Sequence, residues 1–253
     1  MGAITLPLNY IIGASGGGTS ADAIMKACMP GGSLHGLIRV PALIASRDGI
    51  GAIDKAIAQR VKVYVLDRAT RQSPGLLTRK MHRIFEVEEG DIFGQHGWLV
   101  KTPEEFLEEY LALNQHPAPV PLFGGEGFYS LTPHAAVAKF QRLVGRPIFT
   151  EATLQLVHPE YDLGAPMFTW PIEIRRRITA RRLQARVLPF EHLAMVSGLL
   201  RVVNWMALHN GELPPPVKSH FILNPGEEEA LEEARAWALK HYPRGKAVGP
   251  PVP

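Results

Sequence analysis

Only one cysteine, Cys28, occurs in the 253 residues. One sulfur excludes an intramolecular disulfide and a thiolate zinc cage. Cys28 therefore reads as a small apolar residue near a helix end, and a reducing cytoplasm is the expected location. Long apolar runs are also missing. No stretch approaches 18 uninterrupted apolar residues, so no transmembrane helix and no membrane partner are expected. The opening MGAITLPLNYIIGAS has no basic segment ahead of its apolar run, and is expected to be a first strand, not a signal peptide. Net charge is small as well: +3 is no nucleic-acid footprint, although it suits anionic small molecules. No internal repeat is found. What is present is an ordinary globular balance, 46% hydrophobic and 20% charged, in a chain long enough to bury a core.

Patterning along the chain predicts strands at residues 10–12, 37–45, 61–66, 91–94 and 150–158, the second bent at Pro41, which cannot donate to a ladder. Helices are expected at 21–28, 50–59, 74–85, 103–113, 132–143, 172–185, 188–207 and 226–241. Residues 117–127, rich in proline and glycine, read as a long loop. Strands alternating with helices predict an α/β fold: a mostly parallel, open twisted sheet with helices on both faces. The break at Pro214, Pro215 and Pro216 divides an α/β domain, residues 1–213, from an extension, 214–253, with one helix and a flexible tail.

Two features point to chemistry. Gly16, Gly17, Gly18, Thr19 and Ser20 follow the first strand and open a helix. Backbone N–H groups there can hold phosphate, although a tight strand–helix turn also needs glycines. No Gly-Lys-Ser/Thr follows, so this is not the nucleotide-kinase loop, and no ribose-binding acid ends the second strand, where Ser46-Arg47 stands. The second feature is polar: Asn114-Gln115-His116-Pro117 after the helix at 103–113, and Asp162 beyond the strand at 150–158. Residues beyond the carboxyl ends of parallel strands gather where ligands bind. His116 and Asp162 are expected within about one water of each other if they act together.

With these residues the chain resembles the formyltransferase-domain family that includes the glycinamide ribonucleotide transformylases, from about residue 10 to residue 211. Six pieces occur in the family's order: Gly16–Ser20; Ala45-Ser46-Arg47-Asp48; Gly97-Trp98-Leu99; Asn114-Gln115-His116-Pro117, matching Asn-x-His-Pro; Asp162-Leu163-Gly164-Ala165-Pro166; and Glu191-His192 in a late helix. The resemblance implies a formyltransferase-like fold with a Rossmann-type N-terminal half. It also implies formyl transfer from the co-substrate 10-formyltetrahydrofolate to glycinamide ribonucleotide in purine biosynthesis, without a metal. Asn114, His116 and Asp162 would be catalytic. Gly16, Gly17, Gly18, Thr19, Ser20 and Glu191 would hold the phosphorylated amine, and Gly97, Trp98, Leu99, Leu163 and Gly164 the folate. The chain departs from the family in the longer, glycine-rich loop after His116, in Gln95-His96, in Gln155 where histidine is common, and in Ala165. These departures leave open a different amine, hydrolysis of 10-formyltetrahydrofolate, and a silent ligand-binding module of the same fold. A dinucleotide-dependent oxidoreductase fits less well.

Other features read as structural. The arginines at 175–177, 181, 182 and 186 form a solvated face, with Ile174, Ile178 and Leu183 inward. Residues 193–207 are apolar nearly all round, hence deeply buried or a homodimer interface.

Overall fold

A computed structural model describes residues 4–246. The expected flexible tail beyond 246 lies outside the described residues. Its described residues divide into two compact units, 4–115 with 195–215, and 116–194 with 216–246.

The first unit opens with β1 (Leu8–Ala14), α1 (Thr19–Cys28), β2 (Ile38–Arg39), β3 (Ala42–Ala45), α2 (Gly51–Ala58) and β4 (Lys62–Val65). Next come α3 (Arg68–Gln72), α4 (Pro74–Val87), β5 (Ile92–Gln95), α5 (Glu104–Glu109) and β6 (Leu111–His116), whose last residue begins the second unit. All strand pairings here are parallel, in the order β4-β3-β1-β5-β6, with β2 beside the start of β1. The chain therefore leaves β1 towards β3 and β4, then returns to its other side at β5. The carboxyl end of β1 is a topological switch point, the usual ligand crevice of open α/β sheets.

Sterics explain much of this unit. β1 and β5 approach closely because Gly94 has no side chain: a Cβ there would lie 2.0 Å from the Tyr10 hydroxyl oxygen. Edge-on aromatic pairs fill the adjacent core, with Phe85 4.8 Å from Phe106 and Phe93 5.6 Å from Trp98. Burial raises the Cys28 thiol to about 12, which keeps it protonated and unreactive.

The second unit contains α6 (Leu131–Val144), β7 (Ile148–Leu156), β8 (Pro166–Ile174) and α8 (Glu228–His241), and shares α7 (Ala180–Leu208) with the first. β7 and β8 are antiparallel, so the fold is a mostly parallel mixed sheet with helices. Phe123, Phe140 and Phe221 meet at centroid distances of 5.1 to 5.8 Å inside its core. No helix among the described residues is long and apolar enough to cross a membrane.

Three helix expectations fail. The helix at 103–113 stops at Glu109, and Leu111–Leu113 form a strand instead. Their backbone pairs with Ile92, Phe93 and Gly94, and this long-range ladder overrides the helix preference of leucine and alanine. The helix expected from residue 172 is likewise absent, because Pro166–Ile174 pairs with β7 and the helix begins only at Ala180. Pro171 within the run obscures its two-residue period. A single α7 replaces the two late helices, with Pro189 inside it.

The second unit carries an acid-sensitive clamp. Arg146 grips both oxygens of Glu227, at 2.7 and 2.6 Å, and this hydrogen-bonded pair holds the carboxyl down from 4.5 to about 2. A carboxyl more acidic when folded adds stability above its unfolded value and loses it as pH falls towards its folded value. Melting temperature should therefore fall between pH 4.5 and 2, the window set by these two values. Glu227→Gln should flatten that part of the profile, measured by circular dichroism.

Candidate active site

In the first unit, the turn at the carboxyl end of β1 is built by small residues. Gly18 caps α1 in the left-handed conformation, φ 68°, which favours glycine. A Cβ on it would also meet that of Ala52 at 2.5 Å, so α1 and α2 can pack only against glycine there. Gly16 and Gly17 have open space where a side chain would be, and no side chain caps the helix start. Ser15 joins this turn to the one after β5: its N–H donates to the Gly97 carbonyl at 3.0 Å, and its hydroxyl accepts from Leu99 N–H at 2.9 Å. The glycine loop and Gly97-Trp98-Leu99 are thus brought together. Trp98 is buried edge-on against Phe93, whereas Leu99 is half exposed.

Asn114 stands on β6 opposite Gln95 of β5, and Gln115 takes part in a largely buried polar chain. The Tyr10 hydroxyl lies 2.7 Å from His96 Nε2, and His96 Nδ1 lies 3.1 Å from Gln115 Oε1. Burial lowers His96 to about 4, so the ring is neutral near pH 7. Its hydrogen then belongs on Nδ1, facing an amide oxygen that only accepts, and the tyrosine donates to Nε2.

The second unit holds the acid–imidazole pair. His116, at the last position of β6, is almost fully buried. Its Nδ1 is 3.5 Å from Asp162 Oδ1, and its Nε2 is 2.9 Å from the Phe123 carbonyl. Both ring nitrogens therefore face oxygen atoms, and the Phe123 carbonyl can only accept. Asp162 occupies the β7–β8 connection with φ 57°. Gln155 Nε2 donates to its Oδ1 at 2.7 Å, and Gly125 N–H donates to its Oδ2 at 2.9 Å. These are donors to a carboxylate, so Gln155 takes part in the site. Nearby His134, on α6, is lowered to about 3, chiefly by burial and then by the charge of His116.

The remaining expected residues lie apart from this pair in their roles. Gly164 packs on backbone: a Cβ there would meet the Leu156 carbonyl oxygen at 1.8 Å. Leu163 is half exposed, and Glu191 is buried on α7. Sequence reasoning missed the backbone of residues 122–125. The only signal was the unusual length and glycine content of that loop, because carbonyl and amide directions leave no residue-type signature.

An open α/β protein with a glycine turn at its switch point and a buried histidine–aspartate pair is the class these features define. Residues 8–199 match the formyl transferase family, and the chain belongs to it. It is 29% identical over 181 residues to the chloroplastic phosphoribosylglycinamide formyltransferase of Arabidopsis thaliana, covering 70% of this chain and 59% of that protein. The Vigna unguiculata counterpart is 29% identical over 180 residues, covering 70% and 55% respectively. The chain thus spans less than two thirds of these relatives' length. A crystal structure of phosphoribosylglycinamide formyltransferase from Bacillus halodurans shares the fold at TM-score 0.67 and 21% identity, covering 81% of this chain and 100% of that one.

Glycine at 124 is required by Asp162, whose Cβ would sit 2.5 Å from an added one. Gly124→Ala should cost about 1–3 kcal/mol in urea unfolding, whereas Gly16→Ala, which meets nothing, should stay within about 0.5 kcal/mol of the parent.

Proposed function

We propose that the protein transfers a formyl group from 10-formyltetrahydrofolate to the amine of glycinamide ribonucleotide, a step of purine biosynthesis. The observation that carries this reading is the buried His116–Asp162 pair, 3.5 Å apart, within a chain of the formyl transferase family.

The amine nitrogen attacks the formyl carbon, and the carbonyl electron pair moves to oxygen. A tetrahedral oxyanion results. Collapse of this intermediate breaks the bond to folate N10, and the proton lost by the amine reaches that nitrogen. Groups prearranged around the developing charge lower the barrier because they need no reorganisation during the reaction. Asn114 supplies an amide hydrogen bond to the oxyanion. His116, protonated or donating, is the second donor, its Nε2 hydrogen being shared with the Phe123 carbonyl. Asp162, which accepts from Gln155 and Gly125, tunes the imidazole and carries the proton through an ordered water.

Gly16–Ser20 would take the substrate phosphate at the uncapped start of α1, and Glu191 the ribose. Gly97, Trp98, Leu99, Leu163 and Gly164 would line the folate. No metal enters this chemistry. A cytoplasmic setting, the domain at 1–213 with its extension at 214–253, and a homodimer belong to the same reading.

The test is a folate absorbance assay on the purified protein with and without glycinamide ribonucleotide. Turnover that requires the nucleotide supports the reading. Turnover without it indicates hydrolysis, and none indicates a silent binding module. His116→Asn and Asp162→Asn should each lower kcat by about 10²- to 10⁴-fold.

A further inference from the structure

We propose that Arg235, on α8 and outside the stretch matched to the family, is a positioning residue for the His116–Asp162 pair. It acts through the backbone of residues 122–125, and its catalytic consequence rests on the formyl-transfer reading.

One terminal nitrogen of Arg235 donates to two carbonyls, those of Leu122 and of Gly124, the latter at 3.2 Å. The carbonyl between them, on Phe123, accepts from His116 Nε2 at 2.9 Å. The next amide, on Gly125, donates to Asp162 Oδ2 at 2.9 Å. Three successive carbonyls are thereby fixed, the outer two on the guanidinium and the middle one on the imidazole. Turning any of these peptide planes would withdraw a partner from the catalytic pair. The guanidinium also lies over the Phe128 ring, 4.7 Å from its centroid. Its nearest carboxylate oxygen, on exposed Glu232, is 3.9 Å away, so backbone carbonyls are its closer partners.

A second group beyond the family match supports the same loop. The Phe123 ring is fully buried against Phe140 and Phe221, and Phe221 also belongs to the C-terminal segment. The loop is therefore pinned by its side chain and by its carbonyls. Arg235 suits this task because its rigid planar group can bond to oxygen at its edge while stacking through its face.

The experiment uses the ¹⁵N-labelled full chain, with the His116 ring signal identified by its loss in His116→Asn. Arg235→Met keeps an apolar stem and removes the donors. Exchange of the His116 Nε2 proton should accelerate by about tenfold or more. In the folate assay kcat should fall by about 10- to 100-fold, the scale of a small misplacement, with KM changing less than about threefold. Arg235→Lys should recover part of both losses. Lys139→Met breaks the 2.8 Å pair between α6 and Glu233 of α8, and controls for a loosened helix. It should leave the ring signal and kcat at parental values.

An unchanged ring signal or an unchanged kcat in Arg235→Met overturns the inference, as does an equal response to Lys139→Met. If Arg235→Met does not fold, parental values in Arg235→Lys overturn it. Should the parent show no turnover while Arg235→Met still frees the ring proton, the formyl-transfer reading fails and the positioning of the pair stands.

Discussion

The His116 imidazole has a carboxylate on one nitrogen and a peptide carbonyl on the other. The peptide carbonyl can only accept, so Nε2 is the donor in that bond. Burial makes the demand stricter. A buried polar group needs a partner, and Asp162 supplies one while relying on Gln155 and Gly125 for its own hydrogen bonds. The loop after Pro117, the turn between β7 and β8, and α8 all converge on this requirement. Gly124 belongs to it too, since any side chain there would push Asp162 away.

The first unit answers a different constraint, the close approach of backbone and ring. Gly94 admits Tyr10, Gly18 admits α2, and Ser15 ties the turns after β1 and β5 together. A crevice forms at the switch point because neighbouring connections leave the central strand in opposite directions. The chain Tyr10–His96–Gln115 ties β1 and the turn after β5 to β6 within this unit. Its histidine is neutral near pH 7 and faces a hydroxyl and an amide, whereas His116 faces a carboxylate and a peptide carbonyl. Environment, not residue type, separates the two.

Much of the architecture was legible in the chain. β4 shows its alternation, β3 its apolar run broken from β2 by Pro41, and α6 and α8 their helical composition. The errors fell where local preference and long-range pairing disagree. Leu111–Leu113 favour a helix by composition but complete a parallel ladder with β5, and Pro171 hides the alternation of β8. The arginines at 175–177 lie in the segment before α7, exposed as expected but not helical. The stretch from residue 193 is less uniform than its composition suggests: Met195, Leu199, Val202 and Val203 are buried, while Leu193 is half exposed.

By itself the sequence determined the family, the order of most elements, and His116 and Asp162 as the residues to watch. Those rest on residue types at fixed spacings, which a chain carries whether folded or not. Only tertiary structure decided that Gln155 and the Gly125 amide hold the aspartate, that the Phe123 carbonyl meets the histidine, and that an arginine more than a hundred residues later bonds the carbonyls on either side of that one. Every residue except proline carries the same backbone donor and acceptor, so their use is set by direction in space and leaves no trace in composition.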